Sequence, residues 1–243
     1  MDPTLTVLAY SSAAAATAVL GAFPLLVHER LPLNRIGLSN ALAAGMMLGA
    51  AYALMVTGLD RVPTGAAVGA LLGVLFVLWT HRVGGTAELD LNSLTDSDPA
   101  YGYKVLLVGA LHSGAEGIAI GAAMHVSLPF GALMAVAIAV HNIPEATVLC
   151  AILAARGVRW TDAAGLAVAA DVSQVLMAIV TFAIIAAAPA TLSWVLGFAV
   201  GGLICLVMVE LLPESYRQAG HTSIALITVA AMGVVVLLVG RLV

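Results

Sequence analysis

The chain has 243 residues, 62% of them hydrophobic and 9% charged, with a mean hydropathy of +1.10 and a formal net charge of −4. So little charge excludes a soluble domain, which needs far more polar surface to stay dispersed. With no cluster of basic residues, nucleic acid is excluded as a partner. Cys150 and Cys205 both fall inside apolar stretches and read as small wall residues rather than a disulfide framework.

The apolar residues come in long blocks, and about 20 residues is the length a helix needs to cross roughly 30 Å of hydrocarbon. Eight such blocks predict an all-α integral membrane protein, an eight-transmembrane-helix bundle in a lipid bilayer, with spans at about 4–27, 36–58, 64–80, 105–125, 130–154, 163–187, 192–212 and 222–240. The first block has neither a positively charged start nor a cleavage site, so it reads as a retained helix. The second carries Met46 and Met47, which read as pathway wall or lipid-facing residues, or as a soft metal contact.

Most connections are short, which implies antiparallel neighbours. The exception is 81–104, with Glu88, Asp90, Asp96 and Asp98 against Arg82 and Lys104. It reads as a solvated acidic loop or a weak cation collector. Its one histidine, His81, stands at the membrane edge, so the loop is not a histidine-rich metal buffer.

The fourth and fifth blocks hold ionisable residues deep in apolar sequence, where such groups are expensive and usually functional. His112 and Glu116 are four residues apart and share a helix face, and His141 and Glu145 repeat the arrangement on the next helix. Imidazole plus carboxylate suits Zn²⁺, Fe²⁺, Mn²⁺ and similar borderline ions. Two such pairs on facing helices supply four ligands. Each pair taken alone reads equally as a structural hydrogen-bonding group. Pro144 removes a helical N–H and frees a carbonyl near residue 140, which predicts a kinked or broken helix lining a cavity, or a plain packing kink. His125, near the outer end of the fourth block, reads as an entrance ligand at most.

On the sixth block Asp171 and Gln174 are three apart and share a face. On the seventh, Gly197 and Gly201, followed by Gly202, repeat the spacing of Gly117 and Gly121 on the fourth; small residues at that interval let helices approach closely. Beyond them lie Glu210, Pro213 and Glu214, then His221. They read either as a helix end stopped by Pro213 or as an exit station for a cation. His28 and Glu29 read as loop residues.

Arg30, Arg35, Arg82, Lys104, Arg156, Arg159 and Arg217 fall on the odd-numbered connections, and only Arg61 and Arg241 on the others. By the positive-inside rule the odd connections, including 81–104, are cytoplasmic and both termini are outside.

His112-Ser113-Gly114-Ala115-Glu116-Gly117 and His141-Asn142-Ile143-Pro144-Glu145-Ala146 resemble the fourth- and fifth-helix signatures of the ZIP metal transporters. The stretch from Gly197 to Glu214 resembles that family's seventh helix, and Ala43 to Gly49 its second. The resemblance implies transport of divalent metal toward the cytoplasm, most often zinc, with Fe²⁺, Mn²⁺ or Cd²⁺ as further cargo, in the cell membrane and as a homodimer. It implies a primary site at His112, Glu116, His141 and Glu145. It also implies a second site at Ser113, Asn142 and the position of Gln174, and an elevator-like slide of one helix group.

Ser113, Ala115 and Gln174 stand where the family pattern has asparagine, proline and glutamate. The second site therefore lacks charge, with Asp171 as partial compensation, and two ions would leave uncompensated charge in a low dielectric. One firm site and a weak second one are expected. The competing readings are an intramembrane metal-dependent hydrolase, which lacks a His-Glu-x-x-His motif, and a metal-binding homologue with impaired transport. Short loops and an Ala-, Gly- and Val-rich composition lean toward a bacterial source.

Overall fold

The structure, a computed structural model, describes residues 2–27, 32–84 and 99–241. Eight helices in it are long and apolar enough to cross a membrane: α1 (Pro3–Ala22), α2 (Leu33–Leu59), α3 (Pro63–Val83), α4 (Leu106–Val126), α5 (Leu128–Ala154), α6 (Trp160–Ala187), α7 (Pro189–Gln218) and α8 (His221–Val239). The described residues contain no strand. This is the architecture a bilayer permits, because a helix satisfies its own backbone hydrogen bonds. Large apolar side chains such as Leu71, Leu75, Leu226, Val229 and Leu237 point outward, as they do where lipid rather than water is the solvent.

The helices form two packed groups. In one, α1, α4, α5 and α6 pack on one another, and in the other, α2, α3, α7 and α8 do so. The groups meet where α2 runs against α5 and α4 against α7. Within the second group, α3 and α7 approach backbone to backbone. A Cβ on Gly197 would lie 2.1 Å from the Ala66 carbonyl oxygen, and one on Gly201 1.9 Å from that of Ala70. Gly69 and Gly73 return the fit against Trp194 and Phe198. In the first group, Gly117 and Gly121 let α4 meet the carbonyls of Gln174 and Ala178 on α6. Gly202 makes no such approach; its nearest neighbour would be the Ala115 Cβ at 3.7 Å.

The backbone departs from the sequence expectations in four places. The 81–104 connection is shorter at both ends, because the α3 helix continues to Gly84 and the α4 helix begins at Pro99. A proline at a first helical position loses no hydrogen bond, so Pro99 starts a helix where composition suggested loop. Glu88, Asp90, Asp96 and Asp98 lie outside the described residues, as do His28 and Glu29. Second, α5 is unbroken through Pro144. The carbonyl of Ala139, beside the one the proline leaves unpaired, accepts from the Thr17 hydroxyl at 2.7 Å. Third, the breaks fall elsewhere. Residues Thr17–Ala22 of α1 form a 3₁₀ helix, and α6 is interrupted at Asp171 between Trp160–Ala170 and Val172–Ala187.

Fourth, Pro213 does not stop α7. Residues Val207–Leu211 form a π-helical turn, and Leu212–Gln218 continue as α-helix. A proline ring clashes with the carbonyl four residues before it. Widening the preceding turn relieves that clash and places Pro213 in the first turn of a new helical segment, where it is tolerated.

Candidate metal centre

Helix periodicity places His112, Ser113 and Glu116 on one side of α4, and His141, Asn142 and Glu145 on the facing side of α5. His112, Glu116 and His141 are almost wholly removed from solvent, at 4%, 1% and 3% exposure. All border one cavity of about 180 Å³.

Six of the ionisable groups bordering this cavity form two triads, and within each the ligand atoms lie within 4.8 Å of one another. In the first, His141 Nε2 is 3.0 Å from Glu116 Oε1 and 3.2 Å from Glu145 Oε2. A nitrogen between two carboxylates of opposite helices occupies the centre of a compact N/O donor set. Glu116 Oε2 and His141 Nδ1 are buried without a hydrogen bond. Buried donors and acceptors left unmatched in this way are the signature of a site completed by something else.

The second triad joins His112, His81 and Glu210. His81 Nε2 is 2.8 Å from Glu210 Oε1, and His112 Nδ1 is 3.5 Å from Glu210 Oε2. The two imidazoles lie 5.2 Å apart between centroids, tilted by 50°. The π turn of α7 carries Glu210, so the widened backbone ahead of Pro213 sets the carboxylate that meets both histidines. The four ligands expected at one point are thus divided in this conformation. Three converge, and His112 turns to Glu210.

The groups expected at a second site are occupied with one another. The Ser113 hydroxyl donates to Asp171 Oδ1 at 2.7 Å and to the Gly109 carbonyl at 3.0 Å. The Asn142 amide donates to Gln174 Oε1 at 3.0 Å and to the Ala14 carbonyl at 3.1 Å. Gln174 in turn donates to the Ser11 carbonyl at 3.3 Å. Ser113, Asn142 and Asp171 border the cavity but Gln174 does not. Being wholly buried, Gln174 braces α1, α5 and α6 rather than facing an ion. The interruption of α6 falls at Asp171 itself, and the Gln174 backbone N–H still donates to the Asp171 carbonyl at 3.1 Å.

Met47 borders the cavity, whereas Met46 is half-buried outside it. Glu214 lies at the mouth and is paired with Arg217, while Gln218 also donates to it. His221 is exposed, stacks on Tyr216 at 5.3 Å, and does not border the cavity. His125 packs edge-on against Phe182.

Two residues escaped the sequence reading. His81 sits in the last turn of α3, at the edge of the apolar block, and only the fold brings it to Glu210. Asn40 on α2 is 3% exposed and borders the same cavity, with its Oδ1 unmatched.

The cavity occupies one half of the bundle. Its borders come from the first half of α4 and α6 and the second half of α5 and α7, next to the odd-numbered connections. In the other half Ile120, Phe130, Met134, Ile138 and Leu196 belong to a buried apolar core.

A sequence model of the ZIP zinc transporter family matches residues 92–240. A protein of Arabidopsis thaliana, whose given name proposes a zinc transporter, is 36% identical over 160 residues. That match covers 63% of this chain and 25% of the plant protein, so the chain spans only a part of that relative.

Proposed function

The chain belongs to the ZIP zinc transporter family, and on that footing we propose that it carries divalent metal ions, zinc foremost, across the cell membrane toward the cytoplasm. The observation that carries this reading is the convergence of Glu116, His141 and Glu145 from two facing helices in a buried cavity open at one end of the bundle. Two carboxylates balance one divalent charge, which a low-dielectric site requires. Imidazole nitrogen with carboxylate oxygen suits Zn²⁺, and also Fe²⁺, Mn²⁺ or Cd²⁺, better than Mg²⁺ or Ca²⁺. His112 completes the set when it turns from Glu210 toward Glu116, one helical turn along the same face.

The positive-inside rule makes the odd-numbered connections cytoplasmic. The cavity then faces the cytoplasm, and the apolar core around Phe130 and Met134 seals the outer half. Alternating access follows if α1, α4, α5 and α6 move as a body past α2, α3, α7 and α8, the division already present in the packing. Glu214 at the mouth acts as an exit group. His221 plays no part. The Ser113, Asn142 and Asp171 cluster holds no second ion firmly, because its hydroxyl and amide are already bonded within the protein. The family resemblance extends the proposal to a homodimer.

A hydrolase is disfavoured by the same geometry. Glu116 and Glu145 are both taken as ligands, Asp171 accepts from Ser113, and Glu210 and Glu214 are paired with histidine and arginine. Purified protein in liposomes is expected to admit zinc down its gradient, read by an internal zinc dye. Zinc binding without uptake would instead establish a transport-impaired homologue.

A further inference from the structure

We propose that α1 braces the metal site and that Thr17 is its principal positioning residue: acting through α5, it holds His141 where the two carboxylates meet it. This role rests on the reading of Glu116, His141 and Glu145 as the ion's ligands. It adds residues on a helix that bears none of them.

The need for a brace arises in the sequence of α5. Pro144 has no N–H to give the Val140 carbonyl, and its ring crowds that same carbonyl. The helix is therefore weakest over residues 139–144, the stretch that carries His141 and Asn142. Both ends of that stretch are tied to α1. The Thr17 hydroxyl donates to the Ala139 carbonyl at 2.7 Å, and the Asn142 amide donates to the Ala14 carbonyl at 3.1 Å. One turn back along α1, the Ser11 carbonyl accepts from Gln174 of α6 at 3.3 Å, and Gln174 accepts from Asn142 at 3.0 Å.

Residues 11, 14 and 17 are three apart, so these contacts form a ladder on one face of α1. Residues 139 and 142 have the same spacing and are met in the opposite order, so the two rungs to α5 pair in register. Ser11, Ala14, Asn142 and Gln174 are buried, which shields the ladder from competing water.

Thr17 is the rung that bears on His141 most directly. Here α1 passes from α to 3₁₀ helix, and the hydroxyl proton is shared between Ala139 and the Ala14 carbonyl at 2.6 Å. Thr17 does not border the cavity, so its effect on an ion passes through α5. His141 lies two residues beyond Ala139. A small rotation of that segment swings its Nε2 away from Glu116 of α4, now 3.0 Å distant. Because α1 packs in the same group as α4, α5 and α6, the brace stays with the site when that group moves.

Thr17→Val keeps the shape and removes the hydroxyl, whereas Thr17→Ser keeps the hydroxyl. In nanodiscs, Thr17→Val is expected to bind Co²⁺ roughly tenfold more weakly than the native chain, the scale on which partners that orient a ligand act. Its visible cobalt bands, which report ligand geometry, should also change. Thr17→Ser is expected to return affinity and bands to the native values. Thr57→Val on α2 is the control, since that hydroxyl donates within its own helix to the Ala53 carbonyl at 2.9 Å. Its cobalt binding should be unchanged. Native affinity and bands in Thr17→Val, or equal losses in Thr17→Val and Thr17→Ser, overturn the role. If Thr17→Val is not recovered folded, Thr17→Ala is compared with Thr17→Ser, a pair differing by the hydroxyl alone, and equal cobalt binding by those two overturns it as well. A native chain that binds no cobalt would overturn the ligand assignment and this role with it, so the two failures are told apart.

Discussion

Liposomes carrying the His141→Ala, Glu145→Ala double variant are expected to take up zinc no faster than empty liposomes. Glu145 supplies half the negative charge at the first triad, and His141 is the nitrogen on which both carboxylates converge. Removing the pair leaves Glu116, itself 1% exposed, as the one carboxylate of that triad beside a divalent ion. An uncompensated buried charge costs several kcal/mol even after relaxation. A penalty of about 3 kcal/mol already weakens binding roughly a hundredfold. Uptake must be normalised to reconstituted, folded protein. Undiminished uptake by that variant would remove α5 from the ion path.

The second large effect is on folding. Gly201→Leu is expected to abolish recovery of monodisperse protein after detergent extraction. A Cβ there would lie 1.9 Å from the Ala70 carbonyl oxygen, a rigid backbone atom. Extra methylenes in a packed core cost about 1–3 kcal/mol when neighbouring side chains can adjust. Here helix axes would have to separate, and the reciprocal contacts of Gly69 and Gly73 would be lost with them. Gly233→Leu on α8, where nothing lies within 4 Å, is the matched control and should extract normally. Equal behaviour of the two variants in size-exclusion chromatography would contradict the close packing of α3 on α7.

Features set by local pattern were readable from sequence. Apolar blocks of spanning length identify the eight helices, since the bilayer allows no other spanning element in an all-α chain. Four-residue spacing places His112 with Glu116 and His141 with Glu145, because that interval is one turn of helix. Small residues at the same spacing mark the helix faces that meet closely.

Features set by distant contacts were hidden. His81 and Glu210 belong to different helices, and neither has a local pattern naming the other. Gln174 stands where the family pattern has a ligand, yet its side chain bonds Asn142 and the Ser11 carbonyl. The position of a proline did not say where a helix is interrupted. Pro144 is accommodated inside a continuous helix, while the effect of Pro213 appears upstream, as the π turn carrying Glu210. A local rule states what a proline removes, and tertiary contacts decide where the backbone yields.

The central claim is that one ion is held between α4 and α5. Crystals grown with zinc, with diffraction recorded on both sides of the zinc absorption edge, test it directly. The expected result is an anomalous peak within ligand distance of Glu116, His141 and Glu145, with no peak at Ser113, Asn142 and Asp171. Zinc confined to other positions, with the three residues still paired only to one another, would contradict it.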